Sequence, residues 1–195
     1  MAYRRTEAVL DRLAQRRIDI LLGAIELADL SGLDDLNINQ VSKFANVATG
    51  TVYLHFVNRD ELVAAIVAHC TQEDTTTMRD ACKDEPDPMK RLARALQAFM
   101  IFYTSTRKLH PSLMGREGYR RAIMRTLADI IEEGEMVEGS HPEMLATAMV
   151  GALHTVLLSH TTHPSRAKLT ALMEAVLRIA DVNPATYRAR AKENA

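Results

Sequence analysis

Residues Asn37 to Phe56 read N-I-N-Q-V-S-K-F-A-N-V-A-T-G-T-V-Y-L-H-F. Two short helices around a tight turn account for this pattern. Asn37 can cap the first helix, and Gln40, three residues on, completes a capping box. That helix ends near Ala45. Asn46 tolerates positive φ and suits the turn. The second helix runs from about Ala48 to Phe56, with Val52 and Phe56 one turn apart on the core side and Val47 just before. The opposite face carries Gly50 and Leu54, flanked by Thr51 and Tyr53, with Thr49 in the first turn. This face is small, uncharged and rich in hydroxyls, as a helix pressed into a DNA major groove requires. Small side chains allow close approach, hydroxyls meet bases or phosphates, and an aliphatic group touches a thymine methyl. A short helix, a turn and a second short helix form a helix-turn-helix layout.

Outward from that stretch the chain reads as all-α, with about nine helices and almost no period-2 alternation. A first helix is expected from Thr6 to Ser31, with Val9, Leu10, Leu13, Ile20, Leu21, Ala24, Ile25 and Ala28 at helical spacing and Gly32 as its stop. Asn58 and Glu61 open a longer helix to about Lys83. The segment Asp84-Glu85-Pro86-Asp87-Pro88 breaks the chain, and Asp87 caps a helix from Met89 to Thr106 that carries Leu92, Leu96, Phe99, Met100 and Tyr103 on one face. A looser stretch with Pro111 and Gly115 follows. Helices are then expected from Gly118 to Glu133, from Pro142 to Ser159, and from Ser165 to Ala180. The division is a helix-turn-helix domain over residues 1–60, with an N-terminal arm, and a larger helical domain over 61–195.

Composition is that of a globular protein: 47% hydrophobic and 25% charged residues, with a formal net charge of −1. Apolar runs such as Ala148 to Leu153 are too short to span a bilayer, and the first twenty residues carry no signal-peptide stretch. Cys70 and Cys82 lie in one helix about 18 Å apart by the helical rise, too far for a disulfide, and neither has zinc spacing. A cytoplasmic location is expected. Leu36 to Arg59 contains no Asp or Glu, where about three would be expected from the chain's average. That gap is an electropositive opportunity and, taken alone, also a chance fluctuation.

From Ile20 to Leu62 the sequence resembles the TetR family of bacterial transcription regulators, above all in V-x-x-G-T-V-Y-x-H-F-x-N-basic-x-E-L from Val47 to Leu62. The resemblance implies that the helix holding Thr49, Gly50, Thr51, Tyr53 and Leu54 is the recognition helix. It further implies that Tyr53 and Arg59 contact phosphate and that His55 lies near the DNA backbone, with Asn37 and Lys43 completing the DNA-facing set. It also implies a C-terminal domain that binds a ligand and dimerises through its last two long helices. Three departures matter. Ala48 stands where a capping Ser or Thr is common, Asn46 replaces a turn glycine, and Thr49 stands where a basic residue is common. Residues 1–70 hold seven Lys or Arg against nine Asp or Glu, so affinity must rest on the placement of Arg4, Arg5, Arg16, Arg17, Lys43 and Arg59. The first two form an arm along DNA or are solvated charges on a frayed end.

The ligand site is expected among Phe99, Met100, Tyr103, Met114, Tyr119, Met124 and His154, which offer aromatic and thioether surface with little charge and so suit a mostly apolar small molecule. For any one of them plain core packing is the simpler account. The helix from Arg59 to Lys83 joins the two domains and is the natural lever. Ala148, Gly151, Ala152 and Thr155 form a small-residue stripe, and Leu169, Leu172, Met173 and Val176 an apolar one. Together they suggest a four-helix homodimer interface, or packing within one subunit. His154, His160 and His163 do not share a helix face, so no metal is expected. No cofactor fingerprint, phosphate loop or nucleophile–base set occurs, so enzymatic activity is not expected. The reading is a repressor released from a palindromic double-stranded DNA operator by a small molecule. The alternatives are control by a protein partner or by DNA occupancy, and an interaction module that no longer binds DNA; Gly50, Thr51, Tyr53 and Arg59 argue against the last.

Overall fold

The computed structural model describes residues 2–134, 141–158 and 166–180, without the side chains of 2–6, 157, 158, 166, 179 and 180. Among the described residues there are nine helices and no strand: α1 (Ala2–Ser31), α2 (Ile38–Phe44), α3 (Thr49–His55), α4 (Arg59–Cys82), α5 (Pro88–Ser105), α6 (Leu109–Met114), α7 (Glu117–Glu133), α8 (Pro142–Leu158) and α9 (Arg166–Ala180). They form two compact units, Met1–Cys70 with Thr106–Gly115, and Thr71–Ser105 with Arg116–Ala195.

Local chemistry sets most of the boundaries in the first unit. α1 stops at Gly32, whose φ of 94° places it in the left-handed region that a side chain would strain. The Asn37 side chain accepts from the Gln40 amide at 2.9 Å and caps α2. Asn46 takes the turn at φ 51°. The Asn58 side chain accepts from the Glu61 amide at 2.8 Å, and Glu61 accepts in return from the Val57 amide at 2.7 Å. The core is Ile20, Ala24, Ala28, Leu33, Leu36, Val41, Val52, Phe56, Leu62 and Ile66, all at most 1% exposed. Here α1 departs from expectation. It begins at Ala2 rather than Thr6, and of its helically spaced apolar residues Val9, Leu10 and Leu13 are exposed. The glycine-flanked end of α1 is the part against which α2 and α6 pack.

The stretch around Pro111, expected to be loose, contains α6. Pro111 is its third residue, where a missing N–H forfeits no helical hydrogen bond. The opening amides are held from a distance. Asp29 Oδ1 on α1 accepts from the backbone N–H of Arg107 at 2.7 Å, Lys108 at 3.2 Å and Leu109 at 3.3 Å. Thr106 Oγ1 accepts from the His110 amide at 3.3 Å. This explains why Thr106–Gly115 belongs to the N-terminal unit although both flanking helices belong to the other.

In the second unit α7 packs on α5 and α8, and α9 on α5 and α8. Met78, Leu92, Leu96, Phe99, Tyr119, Ile123, Leu127, Met149, Leu153 and Val176 fill its interior. Asp87 caps α5, accepting from the Lys90 amide at 3.0 Å. Arg79 binds Asp129 at 2.5 Å, and Arg91 binds Glu133 at 3.0 Å. Cys70 and Cys82 are buried and not joined in a disulfide, and burial pushes the Cys82 thiol up. Ser159, the Ser165 cap, His160 and His163 lie outside the described residues.

Candidate functional site

α3 is a seven-residue helix held on its inner side by Val52 and, just beyond its end, by Phe56, both fully buried. Its first turn has no side-chain cap, as Ala48 implies. Thr49 compensates in part. Its hydroxyl lies 3.0 Å from Ser42 Oγ on α2, a bond that ties the two short helices at the turn. The outer face presents Gly50, Tyr53 and Leu54, with Tyr53 52% and Leu54 81% exposed. A Cβ at Gly50 would meet nothing within 4 Å. Leaving a leucine this open on a rigid helix has no folding benefit, because apolar surface in water is unfavourable by about 25 cal/mol per Å². Thr51 and His55 are half-buried at the edges of this face, and Lys43 on α2 is exposed.

The cations are placed less simply. The Arg59 guanidinium donates from Nε to the Leu36 carbonyl at 2.7 Å, and from Nη2 to the carbonyls of Leu33 at 2.8 Å and Asp34 at 2.7 Å. Its Nη1 lies 3.5 Å from Asp60 Oδ1. Arg59, expected on phosphate, thus has most of its donors turned onto the α1–α2 loop. Arg17 lies 4.1 Å from the centroid of the Phe56 ring and pairs with Glu61 at 3.6 Å. Arg16 is exposed, and the side chains of Arg4 and Arg5 lie outside the described residues. Asn37 spends its side-chain oxygen on capping α2. Arg17's contact with Phe56 and the Asp29 cap were not found from the sequence. Their partners lie dozens of positions away, where periodicity carries no signal.

The expected ligand residues occur in several settings among the described residues. Phe99, Tyr103 and His154 come together in the second unit, with ring centroids 6.3 Å apart for Phe99 and Tyr103 and 6.2 Å for Tyr103 and His154. Tyr103 Oη and His154 Nδ1 are buried and have no hydrogen-bond partner among the described residues. Burial raises the Tyr103 phenol above its ordinary value. Burial, then the charge of Arg120, lowers His154. Tyr119 is fully buried and donates to Asp74 Oδ2 at 2.6 Å. Met100 lines a cleft of about 370 Å³ with Gln97, Ile101, Leu169 and Met173. Met124 lines another of about 300 Å³ with Arg121, Arg125, Glu143 and Thr147. Met114 packs in the N-terminal unit.

Of the expected dimer residues, Ala148, Gly151 and Thr155 are exposed along α8 and Ala152 is half-buried. Leu169, Leu172 and Met173 are half-buried, and Val176 is buried within the chain. Among the described residues no group of three His, Cys, Asp or Glu side chains could hold a metal, and no helix is long and apolar enough to cross a membrane.

Residues 20–66, which run from the second half of α1 through α2 and α3 into the start of α4, match the family model of bacterial regulatory proteins, tetR family. A fatty acid metabolism regulator protein of Bacillus subtilis is 20% identical over 178 residues, covering 83% of this chain and 92% of that one. The fold matches the crystal structure of the Bacillus subtilis regulator FadR in complex with stearoyl-CoA, with a TM-score of 0.64 and 19% identity over 84% of this chain and 96% of that one. It also matches RolR in complex with resorcinol, with a TM-score of 0.59 and 22% identity over 92% and 94%. Residues 20–66, with the exposed outer face of α3 among them, are thus similar to the tetR family of bacterial regulatory proteins, and the solved regulators share the helical fold of the chain.

Proposed function

We propose that the chain is a repressor that binds a palindromic operator as a homodimer and is released from it by a small, mostly apolar molecule. The observation that carries the DNA half is the outer face of α3, where Leu54 and Tyr53 stand in solvent beside an unobstructed Gly50. In this reading Thr49, Gly50, Thr51, Tyr53, Leu54 and His55 approach base edges and backbone, with Lys43 and Asn37 on α2 beside them. Arg59 acts chiefly by fixing the loop that precedes α2. The exposed small-residue stripe Ala148, Gly151 and Thr155 on α8 supports pairing with a second copy, since small residues let helices approach closely.

The DNA-binding domain is residues 1–60 and the sensing and dimerising domain is 61–195. Three covalent connections join the two packing units: one inside α4, one after Ser105 and one after Gly115. A ligand acts by population shift. It must bind the DNA-incompetent state better than the competent one, and it moves the equilibrium only by that difference. The ligands of the two structural relatives, stearoyl-CoA and resorcinol, differ greatly in size. The smaller kind suits this chain better, because Phe99 is fully buried while polar atoms of Tyr103, next to it, and of His154 have no partner among the described residues.

The test is release of a selected operator by a library of small apolar and aromatic compounds, repeated with Tyr103→Ala and His154→Ala. At least one compound is expected to release the DNA, with its response shifted in one or both variants. Release by no compound would favour control by a protein partner or by DNA occupancy instead.

A further inference from the structure

Among the described residues of the second unit three buried side-chain polar atoms lack a hydrogen-bond partner: Arg91 Nε, whose guanidinium pairs with Glu133 through Nη2, and the neighbouring Tyr103 Oη and His154 Nδ1. Tyr103 on α5 is 6% exposed, and its hydroxyl has no hydrogen-bond partner among the described residues. His154 on α8 meets it edge-on, at an interplanar angle of 78°, and its Nδ1 is likewise buried and unpaired. A buried donor or acceptor left unmade carries its full desolvation penalty, so native interiors rarely keep two side by side. The same unit satisfies its other fully buried phenol: Tyr119 donates to Asp74 at 2.6 Å. The pair at Tyr103 and His154 contrasts with Tyr119 in the same unit.

The surroundings narrow what could satisfy it. Phe99, fully buried, lies beside Tyr103, so the surroundings of the phenol are aromatic. Burial favours the neutral form of both groups, with the charge of Arg120 adding to it at His154, so each is left to pair as a neutral donor or acceptor. One small group that accepts from one side and donates to the other serves both atoms at once. A hydroxyl on an aromatic ring has that capacity and also matches these surroundings. We propose that Tyr103 Oη and His154 Nδ1 together hold the hydroxyl of a phenolic ligand, Tyr103 donating to the ligand oxygen and the ligand O–H donating to His154. This deepens the ligand-released reading given above and rests on it. The competing occupant is a single structural water, which would satisfy the same two atoms and carry no signal.

The test uses the full chain without DNA. Wild type and Tyr103→Phe are titrated calorimetrically with 4-ethylphenol, its methyl ether 4-ethylanisole, and 4-ethylbenzoate. Tyr103→Phe keeps the ring and removes only the hydroxyl. Wild type is expected to bind the phenol about tenfold more tightly than the ether, the size of one hydrogen bond. Tyr103→Phe is expected to lose about that factor for the phenol and nothing for the ether. Without ligand, Tyr103→Phe is expected to unfold at the same or a higher temperature, since it deletes an unpaired buried group. A variant that unfolds at a clearly lower temperature would mean the hydroxyl is already satisfied, as by a water, and overturns the assignment. So would equal affinity for phenol and ether, a preference for the benzoate, or no binding of the phenol at millimolar concentration. None of these outcomes bears on DNA binding. Failure of the broader reading shows instead as compounds that bind the chain but release no operator.

Discussion

Arg59 sits where the family pattern puts a basic residue, yet its geometry is that of a clamp. Three carbonyls, of Leu33, Asp34 and Leu36, take its protons. Leu33 and Leu36 are core residues, so the clamp fixes the loop that sets the start of α2. Arg59→Ala is expected to lower the stability of the chain by about 1–3 kcal/mol in chemical denaturation, the range for losing hydrogen bonds to a charged group. Its effect on the salt dependence of DNA binding is expected to be small. A salt slope reduced by about one would instead show a phosphate contact. His154 supports a second prediction. Burial and the Arg120 charge hold it below its ordinary value, so as pH falls the unfolded chain takes up this proton first. Its contribution to stability is complete above about pH 6.5 and is lost progressively below it. Thermal unfolding is therefore expected to show a smaller loss between pH 7 and 5.5 in His154→Leu than in wild type. An identical loss in both would count against a buried neutral imidazole.

Among the elements, those whose limits are set locally were legible in the sequence. Asn37, Asn46 and Asn58 each act on backbone within three residues, and all three do what their residue type suggests. The buried and exposed sides of α3 follow from the spacing of Val52 and Phe56. α6 was not legible. Pro111 reads as a breaker, and the carboxylate that caps its opening turn belongs to Asp29, on α1. The use made of Arg59 was hidden for the same reason, since its partners lie 23 to 26 positions earlier. The apolar residues Val9, Leu10 and Leu13 carried a helical pattern but not the fact that they would be exposed. Asp29→Ala is expected to cost about 0.5–2 kcal/mol, as for loss of an N-cap. Hydrogen exchange should speed up at the amides of Arg107, Lys108 and Leu109 before it does in α5. Unchanged protection there would show that Asp29 does not hold the α6 start.

For the whole molecule, the proposed pairing with a second copy rests on the exposed stripe on α8. Ala148, Gly151 and Thr155 are exposed, and a Cβ at Gly151 meets nothing within 4 Å in the single chain. Gly151→Glu should therefore be tolerated by the fold but not by a close helix crossing. Light scattering at micromolar concentration is expected to give a dimer for wild type and a monomer for Gly151→Glu, with circular dichroism unchanged. A wild-type monomer would contradict the assembly. With a net charge of −1 and an acid-free stretch from Leu36 to Arg59, the proposed DNA binding has to rest on local placement rather than bulk charge.

The most direct test of the central claim, that the outer face of α3 reads DNA, is selection of bound duplexes from random sequence by wild type and by Leu54→Ala in parallel. The account predicts an enriched palindrome whose half-sites lie about one helical turn apart, 34–36 Å. It predicts that Leu54→Ala keeps the palindrome but relaxes preference at one symmetry-related pair of positions. Enrichment of no sequence by the wild-type chain, or the same preference at every position in both proteins, would contradict it.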